Sequence, residues 1–246
     1  MKLNIRTHLL PTQGTNNTRD LGGYPTQSGQ LTRKNVFFRS DSSSLFTDAD
    51  RTLLSDLGLG LVVDLRADDE ITASPSTYAG SSNIRYENVQ LIDNVHTHFN
   101  PNEFPPSMGA MYIYLLDHAQ NAMARIFTSF ADTVNKGQSC LFHCAVGKDR
   151  TGTVAMLLLD LADVPRDIII EDYSATYEFM KEVFDKQLAD YHARGLQVPE
   201  YAFRSDASSS IETLDHLYNT YGSARNYLME CGLTKEHLDL ITSSFV

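Results

Sequence analysis

The feature that most constrains this chain is the stretch SCLFHCAVGKDRTG at residues 139–152. An apolar run, a tight loop and an apolar helical pattern through Leu159 predict a strand, a loop and a helix in that order. Only five residues separate Cys144 from Arg150, so the loop can close and turn its backbone N–H groups inward as an anion-binding nest. The helix that follows adds its own unpaired N–H groups and the positive end of its dipole. The stretch therefore predicts an oxyanion site.

The residue types in this loop are those that phosphoryl transfer requires. A cysteine in so electropositive an environment is expected to ionise to thiolate near neutral pH, which makes Cys144 the candidate nucleophile. Arg150 presents a planar fork of donors that matches two phosphate oxygens, a geometry that lysine cannot provide. A ring of amides and one guanidinium would stabilise the charge on the transferring group. The backbone expected to bind this group is that of Ala145, Val146, Gly147 and Lys148.

Two neighbours of the loop are expected to support it. Thr151 can donate a hydroxyl hydrogen bond to the sulfur of Cys144, which would help the cysteine leave in a second step. His143 is expected to act from behind the loop, where it would hydrogen-bond backbone carbonyls and hold the loop's shape. We therefore count both among the candidate catalytic residues.

The motif HCxxGKDRT at residues 143–151 resembles the signature of the cysteine-based protein tyrosine phosphatases. Its Gly-Lys-Asp-Arg variant is similar to a bacterial branch of that family whose loops are like those of phosphoinositide phosphatases. Five further blocks are similar to motifs of the same branch and follow in the same order: residues 17–23, 38–40, 63–66, 221–228 and 232–234. The resemblance covers nearly the whole chain, and one phosphatase domain is expected over residues 1–246. A flap or lid is expected within residues 93–118, where a polar stretch carries three prolines, and within residues 172–210, where apolar side chains form a helical stripe.

The expected fold is α/β and similar to that of the protein tyrosine phosphatases. It has a mostly parallel central sheet flanked by helices, a helical lid region, and the Cys144 loop at the carboxyl edge of a central strand. The nearly continuous apolar run at residues 59–63 is typical of a buried parallel strand and would carry Asp64 and Arg66 to that edge. Arg39 follows a second apolar strand, and Arg19 lies in a polar loop. The candidates for holding phosphate beside the loop are Arg19, Arg39 and Arg66.

Departure of the substrate's alkoxide or phenoxide requires a proton donor across the phosphate from Cys144. Asp149 lies inside the loop, where its carboxyl could reach the rim, and the resemblance makes it a candidate. Asp64 comes from a neighbouring strand end, as in phosphatases that use a separate acid. We favour Asp149 and keep Asp64 as the alternative.

The predicted reaction is hydrolysis of a phosphate monoester through a phosphocysteine intermediate, with no metal or other cofactor. Phosphotyrosine in proteins is the first choice of substrate and a small phosphate monoester is included. A phosphoinositide is the alternative, because Lys148 adds a second cation to the loop. A phosphate-binding module without catalysis remains a further alternative. His96 and His98 invite a metal interpretation, but no third ligand at useful spacing supports it.

Charge and cysteine content limit the partners and the compartment. The 246-residue chain carries 20 basic and 31 acidic side chains, a net charge of −11 that disfavours nucleic acid and anionic membranes as partners. No apolar run is long enough for stable membrane insertion. The first residues lack the apolar region of a secretory signal, and the three cysteines form no disulfide framework. A cytoplasmic location is therefore expected.

Overall fold

The centre of the computed structural model, which describes residues 4–91 and 104–246, is a sheet of five strands. The strands are β1 (Arg19–Asp20), β2 (Phe37–Ser40), β3 (Leu59–Asp64), β4 (Arg85–Asn88) and β5 (Ser139–His143). Their order across the sheet is β1-β2-β5-β3-β4, and all neighbours are parallel except β1, which runs antiparallel to β2. The prediction of a mostly parallel sheet, with the strand before Cys144 at its middle, is confirmed.

Helices account for most of the remaining described residues. They are α1 (Asp48–Asp56), α2 (Asp68–Ala73), α3 (Met108–His118), α4 (Gln120–Val134), α5 (Asp149–Leu161), α6 (Arg166–Ala193), α7 (Ala207–Tyr221), α8 (Ala224–Glu230) and α9 (Lys235–Phe245). Short 3₁₀ turns lie at Ile5–His8, Ser43–Leu45 and Glu200–Phe203. Residues 172–193 of the expected lid belong to α6, which has 28 residues.

Two hydrophobic clusters cover the sheet, one on each face, because apolar side chains along the strands point alternately to the two faces. In β5, Cys140 and Phe142 point into the larger cluster, whereas Leu141 packs with Phe38 and Val62 in the smaller one. Successive side chains of a strand point to opposite faces, so both faces of these strands must be covered. Helices α3 to α9 cover the larger cluster and α1 covers the smaller. The expectation of helices on both faces is confirmed.

Three of the short elements have no clear signal in the sequence. The strand β1 has only two residues, too few for a period to show, and its segment has a loop-like composition. Helix α2 is also short, and it begins where the Glu70 carboxylate accepts a hydrogen bond from the N–H of Ala67 at 2.9 Å. Helix α8 lies within a block that we matched to the family only by its sequence. Short elements depend on tertiary contacts more than on periodicity.

Several expectations lie beyond what the described residues can address. Residues 93–103 of the expected flap, with His96 and His98, fall outside them. Within residues 4–91 and 104–246, no helix has both the length and the apolar character needed to cross a bilayer. The cytoplasmic location and the single domain therefore stay predictions.

Candidate active site

The carboxyl ends of the inner strands gather the candidate residues at one edge of the sheet. Ser40, His143 and Asp64 are register partners at the ends of β2, β5 and β3. The chain leaves β5, forms the loop of residues 144–148 and enters α5 at Asp149. Ligand sites of open parallel sheets form at this edge, so the loop lies where the sequence predicts it.

Two carbonyl groups of the loop are held on its outer side by side chains from the N-terminal part of the chain. The Nδ2 of Asn17 donates to the carbonyl oxygens of Val146 and Gly147, at 3.1 and 3.2 Å. The Nη2 of Arg39 donates to the Gly147 carbonyl at 2.7 Å. In a trans peptide the next N–H points opposite to the carbonyl. The N–H groups of Gly147 and Lys148 therefore face the interior of the loop.

The two preceding carbonyl groups are fixed in the same way. The N–H of Ser42 donates to the carbonyl of Ala145 at 3.1 Å, and the Nδ1 of His143 lies 3.0 Å from the carbonyl oxygen of Cys144. The N–H groups of Ala145 and Val146 consequently face inward as well. The loop thus presents a row of consecutive backbone donors to an anion, and His143 contacts a backbone carbonyl as expected.

Gly147 is required by this backbone path. Its φ of 69° lies in the left-handed region that side chains other than glycine rarely adopt. A Cβ at this position would lie 2.5 Å from the carbonyl oxygen of Ser40 and 2.8 Å from Nδ2 of Asn17. Any larger residue would therefore displace the loop from the strand end that supports it.

The loop forms the floor of a cavity of about 510 Å³. Cys144, Ala145 and Val146 line this floor, and Cys144 is only 1% exposed. The walls and roof come from α2, the start of α3, the C-terminal half of α6, and residues 198–203. Thr151 follows in α5 with its hydroxyl oxygen buried and without a hydrogen-bond partner among the described residues. The expected donation from Thr151 to the sulfur is therefore not formed in this structure.

Arg150 is buried beside Cys144 and is held by a carboxylate. Its Nη1 and Nη2 donate to Oε2 and Oε1 of Glu70 at 2.5 and 2.9 Å, while its Nε has no partner among the described residues. Burial alone would lower the pKa of Arg150, but the hydrogen bonds to Glu70 and the charge of Cys144 raise it above its ordinary value. The guanidinium therefore stays charged, and its orientation is fixed by the two hydrogen bonds to Glu70.

The two candidate acids lie in different surroundings. Asp149 lines the cavity and accepts a hydrogen bond at Oδ1 from the Tyr112 hydroxyl at 2.5 Å. Asp64 is fully buried and lies outside the cavity lining. It accepts from Nε and Nη2 of Arg66 at 2.9 and 2.7 Å, and from the Tyr86 hydroxyl at 2.9 Å. Of the two acids, only Asp149 has access to the cavity.

Electrostatics support the same distinction. Burial would raise the pKa of the Asp64 carboxyl, but His143 and Arg66 outweigh it and hold that pKa below its ordinary value. Burial lowers the pKa of His143, against the opposing charge of Asp64 3.5 Å away. Asp64 is therefore an ionised carboxylate behind the loop. Arg66, a candidate for holding phosphate, is paired with Asp64 and likewise does not line the cavity.

The other two candidate arginines converge on one buried carboxylate. Asp172 of α6 accepts from Nε of Arg19 at 2.8 Å and from Nη1 of Arg39 at 2.5 Å, and all three side chains are at most 2% exposed. Burial would raise the pKa of Asp172, but the two arginines hold it well below its ordinary value. Burial and the neighbouring Arg19 lower the pKa of Arg39 to about 10, so it remains charged at neutral pH. Arg19 and Arg39 lie beside the loop and outside the cavity lining.

Lys148 connects the loop to the roof of the cavity. Its buried Nζ donates to the carbonyl of Ala202 and lies 3.4 Å from Oδ1 of Asp149. The same Nζ lies 5.5 Å from the centre of the Phe184 ring in α6. The second cation of the loop is thus placed between the expected acid and the expected lid.

Four residues of the site escaped the sequence-based reasoning. Asn17 lies in the block of residues 17–23, whose resemblance to the family is the signal that could have identified it. Asp172 occupies the apolar stripe of α6 between Ile169 and Tyr173, and a charge in such a position is a signal for a buried ion pair. The two others, for which we find no signal in the sequence, are Glu70 and Tyr112.

The remaining cysteines differ from Cys144 in their surroundings. Cys140 and Cys231 are free thiols, as expected from the absence of a disulfide framework. Burial raises the pKa of Cys140 far above its ordinary value, and it raises the pKa of Cys231 to about 11. Both thiols are therefore protonated at neutral pH, and neither lines the cavity of Cys144.

A mostly parallel sheet whose central strand leads through a cysteine-containing, arginine-closed loop into a helix matches the class of cysteine-dependent phosphatases. The chain belongs to the tyrosine phosphatase family, whose model matches residues 10–246. It is accordingly an enzyme, and the predicted protein-tyrosine phosphatase activity is confirmed at the level of the family.

Two relatives found by sequence agree with this membership. A tyrosine-protein phosphatase of Nostoc commune is 30% identical over 212 residues, which cover 82% of this chain and 71% of the relative. The triple specificity protein phosphatase PtpB of Mycobacterium tuberculosis is 27% identical over 258 residues, covering 82% and 88%. The solved structure of Pseudomonas aeruginosa TpbA with pTyr is 16% identical and covers 74% of this chain and 86% of its own, at a TM-score of 0.34. That last likeness is too low to bear on function.

Proposed function

We propose that this enzyme hydrolyses phosphotyrosine in proteins through a phosphocysteine formed on Cys144. The observation that carries the proposal is the loop itself, in which inward N–H groups and the buried Arg150 surround the sulfur at the floor of a cavity. A phosphoryl group bound there has its phosphorus above the sulfur and its equatorial oxygens toward the amides. This is the arrangement that stabilises charge during phosphoryl transfer.

In the first step the thiolate of Cys144 attacks phosphorus while the bond to the leaving oxygen breaks. Asp149 supplies the proton to that oxygen, since its carboxyl lines the cavity at the rim of the loop. Arg150 holds two equatorial oxygens, and Glu70 keeps its guanidinium in place. In the second step Asp149 accepts a proton from water as the water attacks phosphorus, and the thiolate and inorganic phosphate are released.

The arginines outside the cavity have a positioning role in this proposal. Arg39 orients the Gly147 carbonyl, and Arg19 shares Asp172 with it. Arg66 holds Asp64 behind His143. These side chains support the loop from outside and do not touch the substrate.

The walls of the cavity favour an aromatic substrate. Above the polar floor the lining includes four aromatic side chains, namely Phe104, Phe184, Tyr191 and Phe203. Apolar walls over a phosphate-binding floor suit a phenyl phosphate at the end of an extended side chain. Phosphotyrosine meets this description better than phosphoserine, whose short side chain would leave the aromatic walls unfilled.

A phosphoinositide is the second candidate, because Lys186 of α6 and Arg194, which follows that helix, also line the cavity and could meet further phosphates. The test compares kcat/KM on a phosphotyrosine peptide, the matching phosphoserine peptide and a soluble phosphoinositide. We expect the phosphotyrosine peptide to be preferred. Equal or higher turnover of the lipid headgroup, abolished in Lys148→Ala, would reverse the order of the two substrates.

The covalent step is tested on the cysteine itself. Cys144→Ser should abolish turnover while phosphate or vanadate binding is retained, because the amide ring and Arg150 are unchanged. The matched control is Cys231→Ser, since that thiol is half-buried and lies outside the cavity. Wild-type activity in Cys144→Ser would exclude the phosphocysteine route.

A further inference from the structure

Two buried tyrosines converge on the carboxylate that we assign as the acid. Tyr112 of α3 and Tyr173 of α6 are both 0% exposed, with their hydroxyl oxygens 2.7 Å apart and their rings in edge contact. The Tyr112 hydroxyl donates to Oδ1 of Asp149 at 2.5 Å. The first residue of α5 is therefore tied to α3 and α6, two helices that supply none of the loop's backbone donors.

This placement has a cost that a phenylalanine pair would avoid. A buried hydroxyl must be hydrogen-bonded to offset its desolvation, whereas two phenylalanine rings would pack in the same volume without that requirement. The packing around the pair is close, since a Cβ on Gly152 would lie 3.2 Å from Cδ2 of Tyr173. The hydroxyls therefore converge where their hydrogen bonds reach Asp149.

The protonation state of the pair fixes the direction of these hydrogen bonds. Burial, and then the charge of Asp149, raise the pKa of Tyr112 well above its ordinary value. The same two causes raise the pKa of Tyr173. Both hydroxyls therefore keep their protons throughout the working range of the enzyme. Tyr112 is a donor to the carboxylate, and Tyr173 is a donor to Tyr112.

The two oxygens of Asp149 consequently have different surroundings. Oδ1 accepts from Tyr112 and lies 3.4 Å from Nζ of Lys148. Oδ2 has no such donor among the described residues, and Asp149 lines the cavity. The proton that Asp149 carries before the first step is thus directed to Oδ2.

We infer that Tyr112, backed by Tyr173, is a positioning residue that holds Asp149 with Oδ2 toward the leaving group. The inference rests on the proposed function. As the sulfur–phosphorus bond forms and the bond to the leaving oxygen breaks, the proton moves from Oδ2 to that oxygen. The negative charge left on the carboxylate is then stabilised by the hydrogen bond that Tyr112 donates to Oδ1.

The test uses the requirement for an acid, which depends on the leaving group. Phenyl phosphate releases a strongly basic oxygen and needs the proton, whereas 2,4-dinitrophenyl phosphate releases a weakly basic one and does not. We compare kcat/KM, which reports the first phosphoryl transfer alone, because the second step is the same for every substrate. In Tyr112→Phe we expect kcat/KM on phenyl phosphate to fall by about tenfold or more, the range for a hydrogen bond to a charged group. On 2,4-dinitrophenyl phosphate we expect kcat/KM to fall by less than about twofold. An equal loss on both substrates, or none on either, would overturn the inference.

The pH profile gives a second readout that a merely structural role would not move. The charged and titratable groups that face Asp149 are Tyr112 from α3, Tyr173 from α6, and Lys148 and Arg150 from its own segment. Removing the donor to the ionised carboxylate should shift the alkaline limb of kcat/KM to higher pH. An unmoved limb would contradict the positioning role.

Three variants separate the possible failures. Asp149→Asn should show the same dependence on the leaving group, and if it does not, the proposed acid is wrong. If Asp149→Asn shows this dependence and Tyr112→Phe does not, the proposed acid stands and the positioning role of Tyr112 is wrong. Tyr173→Phe should give a smaller loss in the same direction, and it carries the test if Tyr112→Phe does not fold. Tyr78→Phe is the control, because its buried hydroxyl has no partner among the described residues and lies on the other face of the sheet.

Discussion

The buried charge cluster around Asp172 should be the most sensitive point outside the cavity, and Asp172→Asn tests it. The carboxylate is the shared partner of Arg19 and Arg39, and it also accepts from the Tyr24 hydroxyl at 2.9 Å. The substitution keeps the shape and one acceptor but leaves two buried guanidinium groups without their counter-ion. Removing one partner of a buried ion pair costs about 3–5 kcal/mol.

The consequence should appear in both stability and activity. At about 2–4 °C per kcal/mol for a chain of this size, the melting temperature should fall by roughly 6–20 °C. Because Arg39 also holds the Gly147 carbonyl, kcat should fall at temperatures where the variant is fully folded. Urea denaturation at neutral pH and kcat on phenyl phosphate measure the two effects.

The pH dependence of this stabilisation follows from the lowered pKa of Asp172. A carboxyl whose pKa is lower in the folded than in the unfolded state adds stability above the unfolded pKa and loses it as the pH falls toward the folded value. The difference in unfolding free energy between the wild type and Asp172→Asn should therefore be constant above about pH 5 and shrink below about pH 4.

The control for Asp172→Asn is Glu178→Gln on the same helix. Glu178 pairs with Arg6 at the surface, where both side chains are more than half exposed. An exposed pair contributes about 0–1 kcal/mol, so this variant should unfold almost as the wild type does. If Asp172→Asn also loses less than about 1 kcal/mol, the cluster is not the ion-paired core that we describe.

Three further predictions concern the loop. Glu70→Gln should lower kcat/KM by about tenfold, because Arg150 loses the charged partner that orients it; unchanged kcat/KM, with unchanged inhibition by phosphate, would argue against that role. Gly147→Ala should lower kcat by about a hundredfold, because the Cβ would press on the Ser40 carbonyl and turn a backbone amide of the loop away from the phosphate. A wild-type kcat in a folded variant would show that the loop tolerates the change. Peroxide at neutral pH should inactivate the enzyme through Cys144 and a thiol reductant should restore it, whereas insensitivity would argue against a thiolate.

The sequence predicts those parts of the site whose residues are close together in the chain. The loop is one continuous segment, so its strand, turn and helix, with Cys144 and Arg150 at either end, follow from spacing alone. The apolar runs predict the strands of the sheet, and the rules of parallel α/β folds predict that β5 lies at its centre. The functions of Arg19, Arg39 and Arg66 depend instead on the side from which each side chain approaches the loop. The periodicity of the sequence does not show this side.

The support of the loop comes from contacts that are remote in the sequence. Asn17 lies 129 positions before Val146, Arg39 lies 108 before Gly147, and Arg19 lies 153 before Asp172. These contacts use the part of the chain around β1 and β2, and the sheet order places β2 next to β5 with β1 on the outer side of β2. A sequence motif therefore identifies the residues that contact phosphate more readily than the remote residues that hold them in position. The same topology makes α6 both the anchor of the loop, through Asp172, and the roof of the cavity, through Phe184. Because one continuous helix carries both contacts, a change that shifts this helix should alter the entrance and the floor of the cavity together.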